Sequence, residues 1–222
     1  MNYDQLFLQH VAASYDKQMA LGDLIGSNPW QFDMNTASLS FGDSLRFRIE
    51  ILGTESSYSN TWLWGWANES SGIPAEMLAA SEELRALGRQ EGIHEFLHPD
   101  WQLSERLNGH ILSMIASGLC DCNAYYRGPY EGGALFMLIR DPAFPQARFN
   151  PLQRIVTLFP QLISTIPIAD HQTAFRHYLA YYGAEVHEHG QLVIGHFAKG
   201  DEIEASFLAD RRLEKLETRL SH

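Results

Sequence analysis

The sequence predicts an α+β fold, with mainly antiparallel sheets and about five to six flanking helices. Two observations predict it. Short runs of alternating apolar and polar residues follow one another at turn-length spacing over residues 30–68, and again over 185–207. Amphipathic helical stretches lie between and after these groups and do not alternate with single strands, which argues against a parallel doubly wound sheet. The order of strands in the sheets cannot be read from this pattern.

The elements follow in chain order. Leu8, Val11, Ala12, Tyr15 and Met19 recur at helical spacing and predict a first helix, punctuated at its end by Gly22 and Gly26. Pro29 opens a strand region. Short alternating pieces at Trp30–Asp33 and Ser38–Phe41 are separated by turn-prone residues, and Gly42-Asp43 marks a further turn. Leu45, Phe47, Ile49 and Ile51 alternate with Arg46, Arg48 and Glu50, the clearest half-buried strand in the chain. The loop over 53–59 leads into an aromatic strand, Trp62-Leu63-Trp64-Gly65-Trp66. Consecutive strands joined by short turns imply an antiparallel meander.

Pro74 opens a second helix, with Met77, Ser81, Leu84 and Leu87 on one face and Gly88 closing it. Ser104 reads as the N-cap of a third, with Leu107, Ile111, Met114 and Ile115 on its stripe and Gly118 at its end. A hairpin follows, formed by the apolar runs Cys120–Arg127 and Ala134–Arg140. Asn150-Pro151 starts a fourth helix, which Pro160 should break or restart. Asp170 caps a fifth, with Phe175, Tyr178, Leu179 and Tyr182 on its stripe and Gly183 ending it. Strands at Glu185–His189, Gln191–Phe197 and Glu202–Phe207 precede a C-terminal helix from about Asp210, carrying Leu213, Leu216 and Leu220 on one side. The chain reads as one α+β domain over 1–222, divisible near residue 100 into a meander with helices (1–100) and hairpins with helices (101–222).

Composition narrows the function. The chain carries 16 Lys and Arg against 27 Asp and Glu, a net charge of −11, which repels phosphate backbones and anionic membranes. Nucleic-acid and membrane partners are therefore not expected. The only cysteines, Cys120 and Cys122, read as strand neighbours on one face, where a disulfide would be badly strained. Free thiols suit a reducing compartment. The N-terminal residues lack a basic region and an apolar run, so no secretory signal is read there, and no apolar stretch approaches the roughly 20 residues needed to span a bilayer. The expected location is cytoplasmic.

His94-Glu95-Phe96-Leu97-His98 fits the H-E-x-x-H of zinc peptidases, in which two histidines one helical turn apart bind zinc and the glutamate activates water. That geometry needs a helix. Gly92 precedes the segment and Pro99 follows it, disfavouring helix at His98. A second group, His187, His189 and His196, could share a face in a hairpin turning at His189-Gly190, although its polar neighbours suit solvated histidines. Neither group is assigned a metal, and no cofactor is called for. Nucleophile elbows, P-loops and dinucleotide fingerprints are absent from the sequence.

Two segments stand out for binding. In an extended strand Trp62, Trp64 and Trp66 project to one face and carry three N–H donors that need partners. They form either a ligand platform or core packing under a helix, and core packing is favoured because exposed indole stripes are unusual in soluble proteins. The loop containing Tyr125, Tyr126, Arg127 and Glu131 is rich in Gly and Tyr, and its Arg could clamp a carboxylate or pair with Glu131. These seven residues are the candidate ligand-binding set.

At Ser59–Asn68 and again at Ala124–Gly133 the chain resembles a widespread family of uncharacterised bacterial proteins. That family is recognised by a W-L-W-x-W-A-N strand and an A-Y-Y-R-G-P-Y-x-G-G hairpin. The resemblance covers roughly residues 25–141. It implies a bacterial, cytosolic origin and brings no activity, substrate or catalytic residue; the His94–His98 pattern is not among the motifs that carry it. The expected function is a non-catalytic binding or interaction protein for a small molecule or protein segment, with an immunity-like antagonist of a basic partner as a variant. The alternative is a hydrolase, zinc-dependent through His94 and His98 or otherwise.

Overall fold

The computed structural model describes residues 1–145 and 149–220. It is an α+β fold with five α-helices among the described residues, a seven-stranded sheet and a four-stranded sheet, both antiparallel. Contacts group into two units. The first holds Met1–Phe7 and Lys17–Gln146, the second Leu8–Asp16 and Ala147–His222, so the first helix contributes to both.

In the first unit, helix α1 (Tyr3–Ile25) starts from a capping box in which Asn2 accepts from the Gln5 N–H and Gln5 answers to the Asn2 N–H. It runs through Gly22 and ends at Gly26, whose φ is +53°. Strands β1 (Trp30–Asp33), β2 (Ser38–Phe41), β3 (Leu45–Ser56) and β4 (Thr61–Trp64) form the expected meander, with β5 (Asp100–Gln102) added beside β4. The hairpin of β6 (Ala124–Tyr130) and β7 (Gly133–Ile139) joins the sheet through β7, which pairs with β3. One sheet face carries Leu39, Phe41, Phe47, Ile49, Ile51, Met137 and Ile139 into a buried cluster. The other meets α2 (Ala79–Glu91) and α3 (Gly109–Leu119). The buried Glu50 carboxylate accepts the Ala80 N–H at 2.8 Å and so fixes the start of α2 to the sheet.

Several boundaries differ from expectation. Pro74 opens only a 3₁₀ turn (Ala75–Met77), and α2 continues past Gly88 to Gly92, whose φ is +72°. Gly88 instead permits close approach, since a Cβ there would lie 2.8 Å from Phe96 Cβ. Ser104 caps a turn, accepting from Leu107 N, while Asn108 is the N-cap of α3 and accepts from Ile111 N. Cys120 and Cys122 do not lie in a strand but at the end of α3 and in the turn before β6. Both are free and buried. Burial pushes the Cys122 thiol up to about 12 and raises Cys120 as well, so both stay protonated and unreactive.

The second unit holds α4 (Pro151–Thr165), α5 (His171–Tyr181) and an antiparallel sheet ordered β11-β10-β9-β8. Its strands are β8 (Glu185–His189), β9 (Leu192–His196), β10 (Glu202–Phe207) and β11 (Leu213–Arg219). Helix α4 is not broken at Pro160. That residue lies on the exposed side, while Leu152, Ile155, Leu158, Phe159 and Leu162 bury the other face and hold the helix together. The predicted C-terminal helix is instead β11, paired along its length with β10. Ladder hydrogen bonds to an existing sheet outweigh the helical spacing of three leucines on an otherwise charged segment. The buried face of this sheet, Val193, Ile203, Ala205 and Phe207, lies with Phe175 and Leu179 of α5 in the unit's core. Among the described residues no helix is long and apolar enough to cross a membrane.

Candidate functional site

The aromatic strand is core. Trp62 and Trp64 are fully buried, edge-on to each other at 5.4 Å, with Trp62 against Phe136 and Trp64 against Phe96. Gly53 on the neighbouring strand makes room, for a Cβ there would sit 2.3 Å from the Trp62 ring. The strand ends at Trp64, and Trp66 leaves the shared face on a 3₁₀ turn (Gly65–Ala67), where the Arg85 guanidinium lies 3.9 Å over its ring. Of the three indole N–H groups, Trp64 donates to the Glu95 carbonyl, which also accepts from Trp101; those of Trp62 and Trp66 have no partner among the described residues.

The surface lies at the hairpin ends beyond this core. The tip between β3 and β4 and the tip between β6 and β7 abut, joined by the Ser57 N–H donating to the Gly132 carbonyl at 2.9 Å and by the Ser56–Gly133 register. Gly132 has φ +84°, and a Cβ on it would lie 2.2 Å from the Tyr58 ring. A Cβ on Gly133 would meet the Tyr130 hydroxyl at 2.8 Å. Two glycines thus seat two tyrosines. Tyr58 is 83% exposed and Tyr130 51% exposed.

Next to the tips, the Glu55 carboxylate accepts the Gly109 N–H at 2.6 Å at the start of α3. His110, on the following position, shares a 3.0 Å hydrogen bond between its Nδ1 and the Tyr125 hydroxyl, and packs edge-on against Phe136. Partial burial of the ring is the main cause that lowers the His110 pKa; Glu55 opposes it and Arg127 adds to it. Tyr125 is buried, its hydroxyl raised above the ordinary tyrosine value by burial, whereas Tyr126 is half-buried against Trp30 and Phe41. Arg127 and Glu131 are exposed. Of the seven residues singled out from the sequence, Arg127 and Glu131 therefore lie at the surface by the tips, Tyr126 and Trp66 are partly accessible, and Trp62, Trp64 and Tyr125 are buried, out of reach of a ligand at the surface. Tyr58, Tyr130, Glu55 and His110 lie beside them and complete the candidate site. Only the Tyr and Gly content of the 128–133 segment signalled any of them in sequence.

His94–Phe96 forms one 3₁₀ turn, so the two imidazoles are not stacked on a helix face. The Glu95 carboxylate is held by Arg106 at 2.9 Å, and His98 packs edge-on against Trp101. Among the described residues no three His, Cys, Asp or Glu side chains converge as they stand on a point where a metal could sit.

A second polar cluster lies in the other unit. Asp16 is buried, and its carboxylate accepts from Arg154 Nε at 2.6 Å, from the Tyr178 hydroxyl at 2.6 Å and from the Tyr182 hydroxyl. Arg154 also donates to the Asp16 carbonyl and lies over the Phe149 ring at 4.0 Å. It lines a cavity of about 200 Å³ with Phe149, Asn150, Gln153, Thr157 and Leu158.

Fold and surface together define an antiparallel α+β protein with a tyrosine-bearing pair of hairpin tips. The chain belongs to a family described as "Family of unknown function (DUF6882)", which it matches over residues 4–142, more than half its length. No curated protein and no solved structure matches it.

Proposed function

We propose that this protein is a non-catalytic binding protein that recognises another protein through the paired hairpin tips. The observation that carries the reading is the pair Tyr58 and Tyr130, exposed at abutting hairpin tips, Tyr58 over Gly132 and Tyr130 over Gly133. The tips read Ser56-Ser57-Tyr58-Ser59-Asn60 and Gly128-Pro129-Tyr130-Glu131-Gly132-Gly133. Tyr, Ser, Asn and Gly are the residues recognition loops use most, because tyrosine supplies large contact area at low entropic cost and the small residues adapt their hydrogen bonds. Arg127 and Glu131 beside them supply charge for orientation. The net charge of −11 favours a partner with a basic surface over nucleic acid or an anionic membrane. Two buried, protonated thiols support action in a reducing, cytoplasmic setting, and the sequence motifs support a bacterial one.

The test compares proteins retained by the wild-type chain and by Tyr58→Ser/Tyr130→Ser in cells of the native host, with Tyr181→Ser (49% exposed, in the second unit) as a control. The partner is then expressed and its affinity measured. Two tyrosine anchors at about 2 kcal/mol each predict weakening on the order of 10²- to 10³-fold for the double variant and none for the control. A partner that binds the double variant as well as wild type, or the absence of any protein lost selectively with it, refutes the proposal.

A further inference from the structure

The solvent face of the four-stranded sheet brings together side chains that the tips do not use. On this face β8 presents Glu185, His187 and His189, β9 presents Leu192, Ile194 and His196, and β10 presents Glu202 and Glu204. His196 is central. It stands directly opposite Glu185 on one side and Glu202 on the other, with His187 diagonal to it. The His187 and His196 rings lie 5.2 Å apart. Each imidazole already has an oxygen beside it: His187 Nε2 is 3.2 Å from Glu185 Oε1, and His196 Nδ1 is 3.2 Å from Glu202 Oε2.

We propose that His187, His196, Glu185 and Glu202 form a surface site for a borderline divalent transition ion, zinc or nickel in type. Two imidazole nitrogens with carboxylate oxygens are the ligand set such ions take, whereas magnesium and calcium prefer oxygen alone. As the side chains stand, each nitrogen faces its carboxylate and not a common point, so binding turns the two rings inward. Their exposures of 45% and 44% leave room for that rotation. The strands hold the backbone positions, so only side-chain torsions change. Glu204 and Glu217 add negative potential to the same face. Arg219 works against the ion, bridging Glu202 Oε1 at 3.3 Å and Glu204 at 3.6 Å, but it leaves Glu202 Oε2 to His196. Lys215 is engaged with Glu217 at 2.8 Å.

The experiment titrates zinc chloride, nickel chloride and magnesium chloride into the full chain by calorimetry. The expected result is saturable binding of one zinc or nickel ion per chain and none of magnesium. His187→Asn/His196→Asn should weaken zinc by at least about tenfold, while His94→Asn/His98→Asn leaves it unchanged. Glu202→Gln, a milder change, should weaken it less. On the wild-type chain, zinc should shift the imidazole NMR signals of His187 and His196 and leave those of His94 and His98 in place, a readout that needs no variant to fold. Absence of saturable zinc binding, zinc affinity unchanged in His187→Asn/His196→Asn, or shifts centred on His94 and His98 would overturn the proposal.

Discussion

Replacing Asp16 by Asn keeps the side chain's shape and removes its charge. The wild-type carboxylate is 5% exposed and its Arg154 partner 13% exposed, so neither is well hydrated. Breaking a buried pair from one side costs about 3–5 kcal/mol, because the partner loses its attraction to the opposite charge while it stays largely out of water. The partial exposure of Arg154 places the expectation near the lower end, at about 3 kcal/mol. For a chain of this size each kcal/mol moves the melting temperature by about 2–4 °C, so Asp16→Asn should melt about 6–12 °C lower. Circular dichroism melts and urea titrations of the same samples measure it. Asp16→Asn combined with Arg154→Met removes both charges and should be less destabilised than Asp16→Asn alone, since replacing a whole buried pair with apolar groups is often near neutral. Asp16→Asn within about 1 kcal/mol of wild type, or a double variant no more stable than Asp16→Asn, would refute the reasoning.

Gly109→Ala sets two effects against each other: alanine is favoured in a helix by about 1 kcal/mol, but its Cβ would lie 2.3 Å from the Phe136 ring, where overpacking costs about 1–3 kcal/mol. The urea midpoint should fall, and a rise would show that Phe136 yields at little cost. Burial, then the charge of Asp16, raises Tyr178 and Tyr182 above the ordinary tyrosine value of 10.0, so their contribution to stability is fully present below about pH 10 and is lost as pH rises further. Tyr182→Phe should make that alkaline loss shallower, as followed by chemical denaturation between about pH 8 and pH 11.

Local signals carried much of the fold. The strands Trp30–Asp33 and Ser38–Phe41 have the boundaries their alternation predicts, and Leu45 to Ile51 lies within β3. The failures are cases where pairing and packing override the local pattern. Leu213, Leu216 and Leu220 have helical spacing, yet the neighbouring β10 offers a ladder that local pattern cannot reveal. Pro160 is harmless because it falls on the exposed side of a strongly amphipathic helix. The candidate site was legible only in part. The Tyr and Gly content of the 124–133 segment marked one tip. The other, with Tyr58, becomes its neighbour only because β3 pairs with β7, a register set across roughly 80 residues of chain. Asp16 gave no signal at all, since its partners lie 138 to 166 residues away.

The way α1 is shared between the two units bears on inheritance. The family match ends at residue 142, before Arg154, Tyr178 and Tyr182. A relative truncated there would retain the helix and, at the position of Asp16, a carboxylate stripped of its cation and of both phenol donors. Its Leu8–Asp16 segment, which belongs to the second unit, would lose that unit's other elements. Acidity at this one position, in the fourth turn of the first helix, is therefore expected to accompany the C-terminal unit among relatives.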